Sequence, residues 1–148
     1  MMCSFLAAYP HLSGMVLDLP EVVGEKDQLW ASRLGLERRC RDVAADMFKE
    51  VPSDADVYSL KMILHDWNDN ECTQILQTIR RYAKPDRRIF IIEQIVPGPS
   101  ESHFSKLFDG RERTEGEYAS LLEASGWRFV ACHYPFHANM GAVEGVAV

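Results

Sequence analysis

The run Arg88-Ile89-Phe90-Ile91-Ile92-Glu93 constrains this chain more than any other, because four large apolar residues follow one another between charged ends. A strand with one wet face alternates apolar and polar side chains. An unbroken apolar run is expected where helices cover both faces, as in a parallel sheet. Other segments fit the same plan. Gly14-Met15-Val16-Leu17-Asp18 is short, apolar and followed by Pro20, which reads as a buried strand ending in a loop. Residues 36–43, with interleaved charges, read as an edge strand. Residues 56–64 are rich in strand formers and are stopped by His65-Asp66-Trp67-Asn68-Asp69-Asn70.

Helical spacing appears between the strands. From Asn68 or Asp69, either of which suits an N-cap, the apolar positions Cys72, Ile75, Leu76, Ile79 and Tyr82 share one face, and Pro85 lies beyond the end. Thr114 and Glu117 stand at capping-box spacing before Tyr118, Leu121 and Leu122, and Gly126 closes that helix. Strands over 127–134 and about 142–148 complete an α/β alternation. With 148 residues, the expectation is one domain over 1–148.

Composition narrows the function. The formal net charge is −6 and the basic residues form no stripe, so nucleic acid is not an expected partner. Cys3, Cys40, Cys72 and Cys132 are far apart with no C-x-x-C pair, as expected of free thiols in a cytoplasmic protein. No apolar stretch approaches the roughly 20 residues that span a bilayer, so no membrane partner is expected. Cys132-His133-Tyr134-Pro135-Phe136-His137 does not make a metal site, because Pro135 breaks any helix that would bring the histidines together. No G-x-S-x-G elbow, P-loop or H-E-x-x-H occurs.

Polar groups close three strands: Asp18, His65 and Glu93. In open α/β sheets the ligand crevice lies outside the carboxyl ends of the strands. Asp18 reads either as an acceptor for ribose hydroxyls or as an ordinary turn residue before Pro20. His65 reads either as a general base, with an unperturbed pKa of about 6.5, or as a polar turn residue. Asp66 reads as a helix cap or a supporting partner, and Trp67 as a core or pocket-wall aromatic.

Taken in order, LDLPEVV, RDVAADMF, DVYSLKMILHDWNDNECTQIL, RIFIIEQIVPGP and GRERTEGEYASLLEASGW resemble the successive motifs of the plant caffeate and hydroxyindole type O-methyltransferases and their bacterial relatives. The most specific part is K-x-x-L-H-D-W-x-D, then a helix, then I-x-E. The resemblance implies a Rossmann-like sheet with helices on both faces and S-adenosylmethionine as cofactor. It implies that Asp18 holds the ribose hydroxyls, that Asp46 and Met47 flank the adenine, and that Lys61 contacts the cofactor. It also implies that His65 takes the proton from a hydroxyl of a small, aromatic acceptor, with Glu93 and Glu112 flanking and orienting it, and that no metal is needed.

The same resemblance places the family's first strand and glycine-rich loop before Ser4, outside the sequence, together with a helical domain used for dimerisation. A homo-oligomer or a complementary chain is therefore expected, or direct pairing of the two strands that flank the gap, or a truncated product. A further helical segment of the family is missing between Leu107-Phe108-Asp109 and Gly110. A non-catalytic domain acting as a dimerisation or regulatory partner is the alternative function. An NAD-dependent oxidoreductase would share Asp18 but would require the G-x-G-x-x-G that this sequence lacks.

Overall fold

In the computed structural model of this chain the described residues are 1–23, 30–52, 54–98, 111–135 and 140–148. The chain divides into two compact units, Met1–Pro52 and Ser53–Val148. His137 and residues 107–110, singled out above, lie outside the described residues.

In the first unit, strands β1 (Gly14–Asp18) and β2 (Cys40–Ala44) pair in parallel, from Gly14 opposite Cys40 to Asp18 opposite Ala44. Helix α1 (Met2–Ala8) precedes them and the short α2 (Trp30–Arg33) lies between. Leu6, Ala31, Leu36 and Cys40 form the core, with Met2 and Cys3 packed against it. Helix α1 has no side-chain cap at its start. Its end is tied by Arg39, whose guanidinium donates to the carbonyls of Leu6 at 2.8 Å and Leu12 at 3.0 Å. A cation is well placed at this end, where the last carbonyls of a helix have no partner within it. The expected edge strand starts at Cys40 rather than at residue 36, because Arg39 and Cys40 both donate backbone N–H bonds to Leu36 and so close a turn there.

The second unit is built on β3 (Val57–Lys61), β4 (Arg88–Gln94), β5 (Trp127–His133) and β6 (Met140–Ala147), in the order β3-β4-β6-β5. Strands β3 and β4 are parallel, as the apolar run at 88–93 led one to expect, while β6 runs antiparallel to both of its neighbours. Helix α3 (Asp69–Tyr82) is the crossover between the parallel pair, and α4 (Glu115–Ala124) precedes β5.

Both helices begin with complete capping boxes. Asn68, not Asp69, caps α3 and exchanges hydrogen bonds with Glu71, while Thr114 does the same with Glu117 for α4. Helix α3 buries Cys72, Ile75, Leu76 and Ile79 of the face read from their spacing, whereas Tyr82, the fifth position and the last residue of the helix, is exposed. Full burial of a side chain such as Ile75 or Leu76 is worth roughly 1.5–3 kcal/mol of transfer free energy. Leu122 of α4 lies over Gly145 beside Ile89, and the Trp127 indole donates to the Leu76 carbonyl at 3.1 Å. Gly126, with φ +82°, takes the left-handed position after α4 and leaves room for the Arg80 side chain.

Strand β3 ends at Lys61, three residues short of the expected Leu64. Met62 adopts φ 53°, a left-handed conformation that non-glycine residues rarely take, and a 3-10 turn follows at Leu64–Asp66. The turn carries His65.

Candidate active site at the strand ends

Parallel pairing puts the carboxyl ends of β1 and β2 on one rim of the first unit. Asp18 ends β1, and the Ala45 N–H donates to its carbonyl at 2.9 Å, so Asp46 and Met47 leave β2 on the same rim. Asp18 is exposed, and its Oδ1 accepts from the Leu19 N–H at 2.8 Å. Oδ2 has no partner among the described residues. Asp46 accepts from the Phe48 N–H at 3.0 Å and pairs with Lys49 at 2.9 Å. The Lys49 ammonium and the Phe48 N–H hold its carboxyl below the usual carboxylate range. Met47 is half-buried.

The rim of the second unit carries Lys61, His65 and Glu93. Lys61, opposite Ile92 at the end of β3, is exposed. Glu93 is fully buried near the end of β4. Its Oε1 accepts from the N–H groups of Ile63 and Leu64, both at 2.8 Å, and its Oε2 lies 3.0 Å from His65 Nδ1. Burial pushes the Glu93 carboxyl up from its ordinary value, against the pull of the Ile63 amide and the imidazole. A carboxylate only accepts hydrogen bonds, so where Glu93 is ionised and the ring neutral this contact puts the ring proton on Nδ1. The other ring nitrogen, Nε2, lies 3.3 Å from Asp66 Oδ1. Asp66 pairs with the imidazole only when the ring is protonated, and the helix cap is Asn68. Glu112 is half-buried between Arg111 and Arg113.

The same turn is gripped from its other side by Arg113, which no sequence pattern singles out. Arg113 is fully buried and donates to the carbonyls of Leu64 at 2.9 Å and Trp67 at 2.8 Å. It also makes two bonds to Asp69 Oδ1, from Nε at 2.9 Å and Nη2 at 2.8 Å. Burial raises the Asp69 carboxyl, but the guanidiniums of Arg113 and Arg111 outweigh it and hold the group below its usual range. Cys72, an apolar position of the α3 face, also donates its S–H to Leu64 O at 3.2 Å, and burial pushes its thiol up to about 11. All four cysteines are free thiols.

A model of the O-methyltransferase domain matches residues 2–128. The chain belongs to that family. It is 38% identical over 135 residues to the mitomycin biosynthesis 6-O-methyltransferase of Streptomyces lavendulae, covering 86% of this chain and 38% of that protein. The solved structure of the mitomycin 7-O-methyltransferase superposes with a TM-score of 0.89 at 34% identity, covering 99% of this chain and 45% of that one. An O-methyltransferase of neocarzinostatin biosynthesis, solved with S-adenosylmethionine and 2-hydroxy-5-methyl naphthoic acid, gives a TM-score of 0.87 at 28% identity and covers 99% and 45%. The expected α/β, Rossmann-like methyltransferase fold therefore holds. The chain spans about two-fifths of the length of the curated relatives it matches.

Proposed function

We propose that this chain supplies the catalytic base and part of the cofactor site of an S-adenosylmethionine-dependent O-methyltransferase acting on a hydroxyl of a small aromatic acceptor. What supports this reading is the buried Glu93 carboxyl 3.0 Å from His65 Nδ1, which when ionised favours the ring proton on Nδ1 and leaves Nε2 as the proton-accepting nitrogen. A base of this kind must be of the right tautomer and held in position, and the carboxylate contributes to both. Once His65 takes the acceptor's proton, the cation lies between Glu93 and Asp66.

S-adenosylmethionine, when bound, would supply a methyl group already activated on sulfur, with the resulting thioether as leaving group. The protein's remaining task is alignment and proton removal. The donor set on the first rim suits the nucleoside: Asp18 has a carboxylate oxygen unengaged among the described residues for ribose hydroxyls, and Asp46 with Met47 offers a polar and an apolar contact for adenine. The family resemblance gives Lys61 on β3 as a cofactor contact and Glu112 as a second acidic residue that orients the base. The relative solved with a hydroxynaphthoic acid supports an aromatic acceptor. Free thiols support a cytoplasmic location, and no helix among the described residues is long and apolar enough to cross a membrane. A second copy or a complementary chain would complete the enclosure of the acceptor.

Isothermal titration with S-adenosylmethionine, with the chain alone and with a complementary N-terminal segment of a relative, tests the cofactor reading, and heat that saturates in either is expected. Transfer of labelled methyl to hydroxylated aromatics should then be lost in His65→Gln. Absence of binding in both settings, or full transfer by His65→Gln, would overturn the proposal.

A further inference from the structure

The 3-10 turn that carries His65 is held between two fully buried ions of opposite sign. Glu93 takes the N–H groups of Ile63 and Leu64 on the way in. Arg113 takes the carbonyls of Leu64 and Trp67 on the way out. This arrangement follows the polarity of any helical turn, whose free N–H groups attract an anion and whose free carbonyls attract a cation.

We propose that Arg113 is a positioning residue for His65, setting the direction of the imidazole by clamping residues 64 and 67 on either side of it. The inference rests on the reading of His65 as the base. The guanidinium has five N–H donors in a rigid plane, and each has an acceptor here. Nε and Nη2 reach Asp69 Oδ1, Nη1 reaches Leu64 O and the Arg111 carbonyl at 3.1 Å, and Nη2 also reaches Trp67 O. Asp69 is tied in turn to Arg111 at 3.0 Å, and Arg111 pairs with Glu117 in the capping box of α4. The Arg113 backbone is itself fixed, because its carbonyl accepts from the Val96 N–H at 3.2 Å just beyond β4. The clamp thus joins the segment before α4, the start of α3 and the end of β4 at the one turn that bears the imidazole.

A lysine would keep the charge near Asp69, but a single ammonium cannot hold two carbonyls and a carboxylate in the same plane. The test is the nitrogen-edited spectrum of the histidine rings in the chain and in Arg113→Lys, with His65→Gln identifying the His65 signals. The expected result is loss of the His65 Nδ1–H cross-peak in Arg113→Lys, while the signals of His133, which pairs with Glu144 at 2.7 Å, stay in place. An unchanged His65 cross-peak in the folded variant would overturn the proposal. Should Arg113→Lys fail to fold, Asp69→Ala removes the half-exposed carboxylate shared by two of the guanidinium donors. It is expected to weaken the same cross-peak, and no change would count against the clamp. These spectra report the ring's position whether or not the chain turns over, whereas transfer by His65→Gln reports only on the base, so the two readings fail separately.

Discussion

Glu93→Gln separates the structural from the chemical role of the buried carboxylate. The amide oxygen of glutamine can still accept from Ile63 and Leu64, whose N–H groups lie 2.8 Å from Oε1 in the native protein. The NH₂ group then occupies the place of Oε2 and donates to His65 Nδ1, which forces the ring proton onto Nε2. Because no backbone donor loses its partner, stability should change by no more than about 1 kcal/mol. Transfer, however, should fall by about 10⁴-fold, the cost seen when the carboxylate behind a serine protease histidine becomes an amide and leaves the wrong tautomer. Glu93→Ala makes the contrast: two buried N–H groups lose their acceptor, at about 1–3 kcal/mol each. Thermal unfolding of the three proteins and single-turnover transfer of labelled methyl, in whichever setting binds the donor, give the comparison. A Glu93→Gln protein that melts with the wild type and transfers methyl at the wild-type rate would refute the reasoning.

Three further outcomes follow from the same geometry. Burial raises the Glu93 carboxyl in the folded state, so its contribution to stability is present in acid and is lost as pH rises through the raised value; wild-type stability measured against Glu93→Gln by denaturant titration should decline as pH climbs above the ordinary carboxylate range. Gly145→Ala would place a Cβ 3.0 Å from Ile89 Cγ2 and 3.1 Å from Leu122 Cδ2, and overpacking of this kind should lower stability by about 1–3 kcal/mol in a chemical melt. Asn68→Ala removes the cap of α3 and should cost about 1 kcal/mol without altering the His65–Glu93 contact, readable as an earlier unfolding midpoint with unchanged ring signals.

What was legible in the sequence was what neighbouring residues decide among themselves. Strand β1 falls where its five residues placed it, although none of them is buried and Val16 is exposed, and the Thr114–Glu117 box and four of the five apolar positions of α3 are as the pattern reads. The pairing of His65 with Glu93 came from a family resemblance and the shared rim of two parallel strands, and the geometry of the second unit brings them to 3.0 Å. The contacts that fix the turn were hidden for a physical reason. Arg113 binds Leu64 and Trp67 from 49 and 46 residues away, and no local pattern distinguishes an arginine whose five donors are all satisfied in the core from one in solvent. The early end of β3 coincides with Met62 taking a left-handed conformation that its side chain does not favour, its N–H bonded to the Ile92 carbonyl and the next two N–H groups to Glu93. Helix α1 was likewise unreadable: it has no cap signal, and its end is secured by Arg39, 33 residues from Leu6.

The most direct measurement is the tautomer of the neutral His65 ring, read from nitrogen chemical shifts and long-range couplings of labelled wild-type protein. A base poised by Glu93 predicts the proton on Nδ1 and a bare Nε2. A ring found mainly with its proton on Nε2 would contradict the account at its centre.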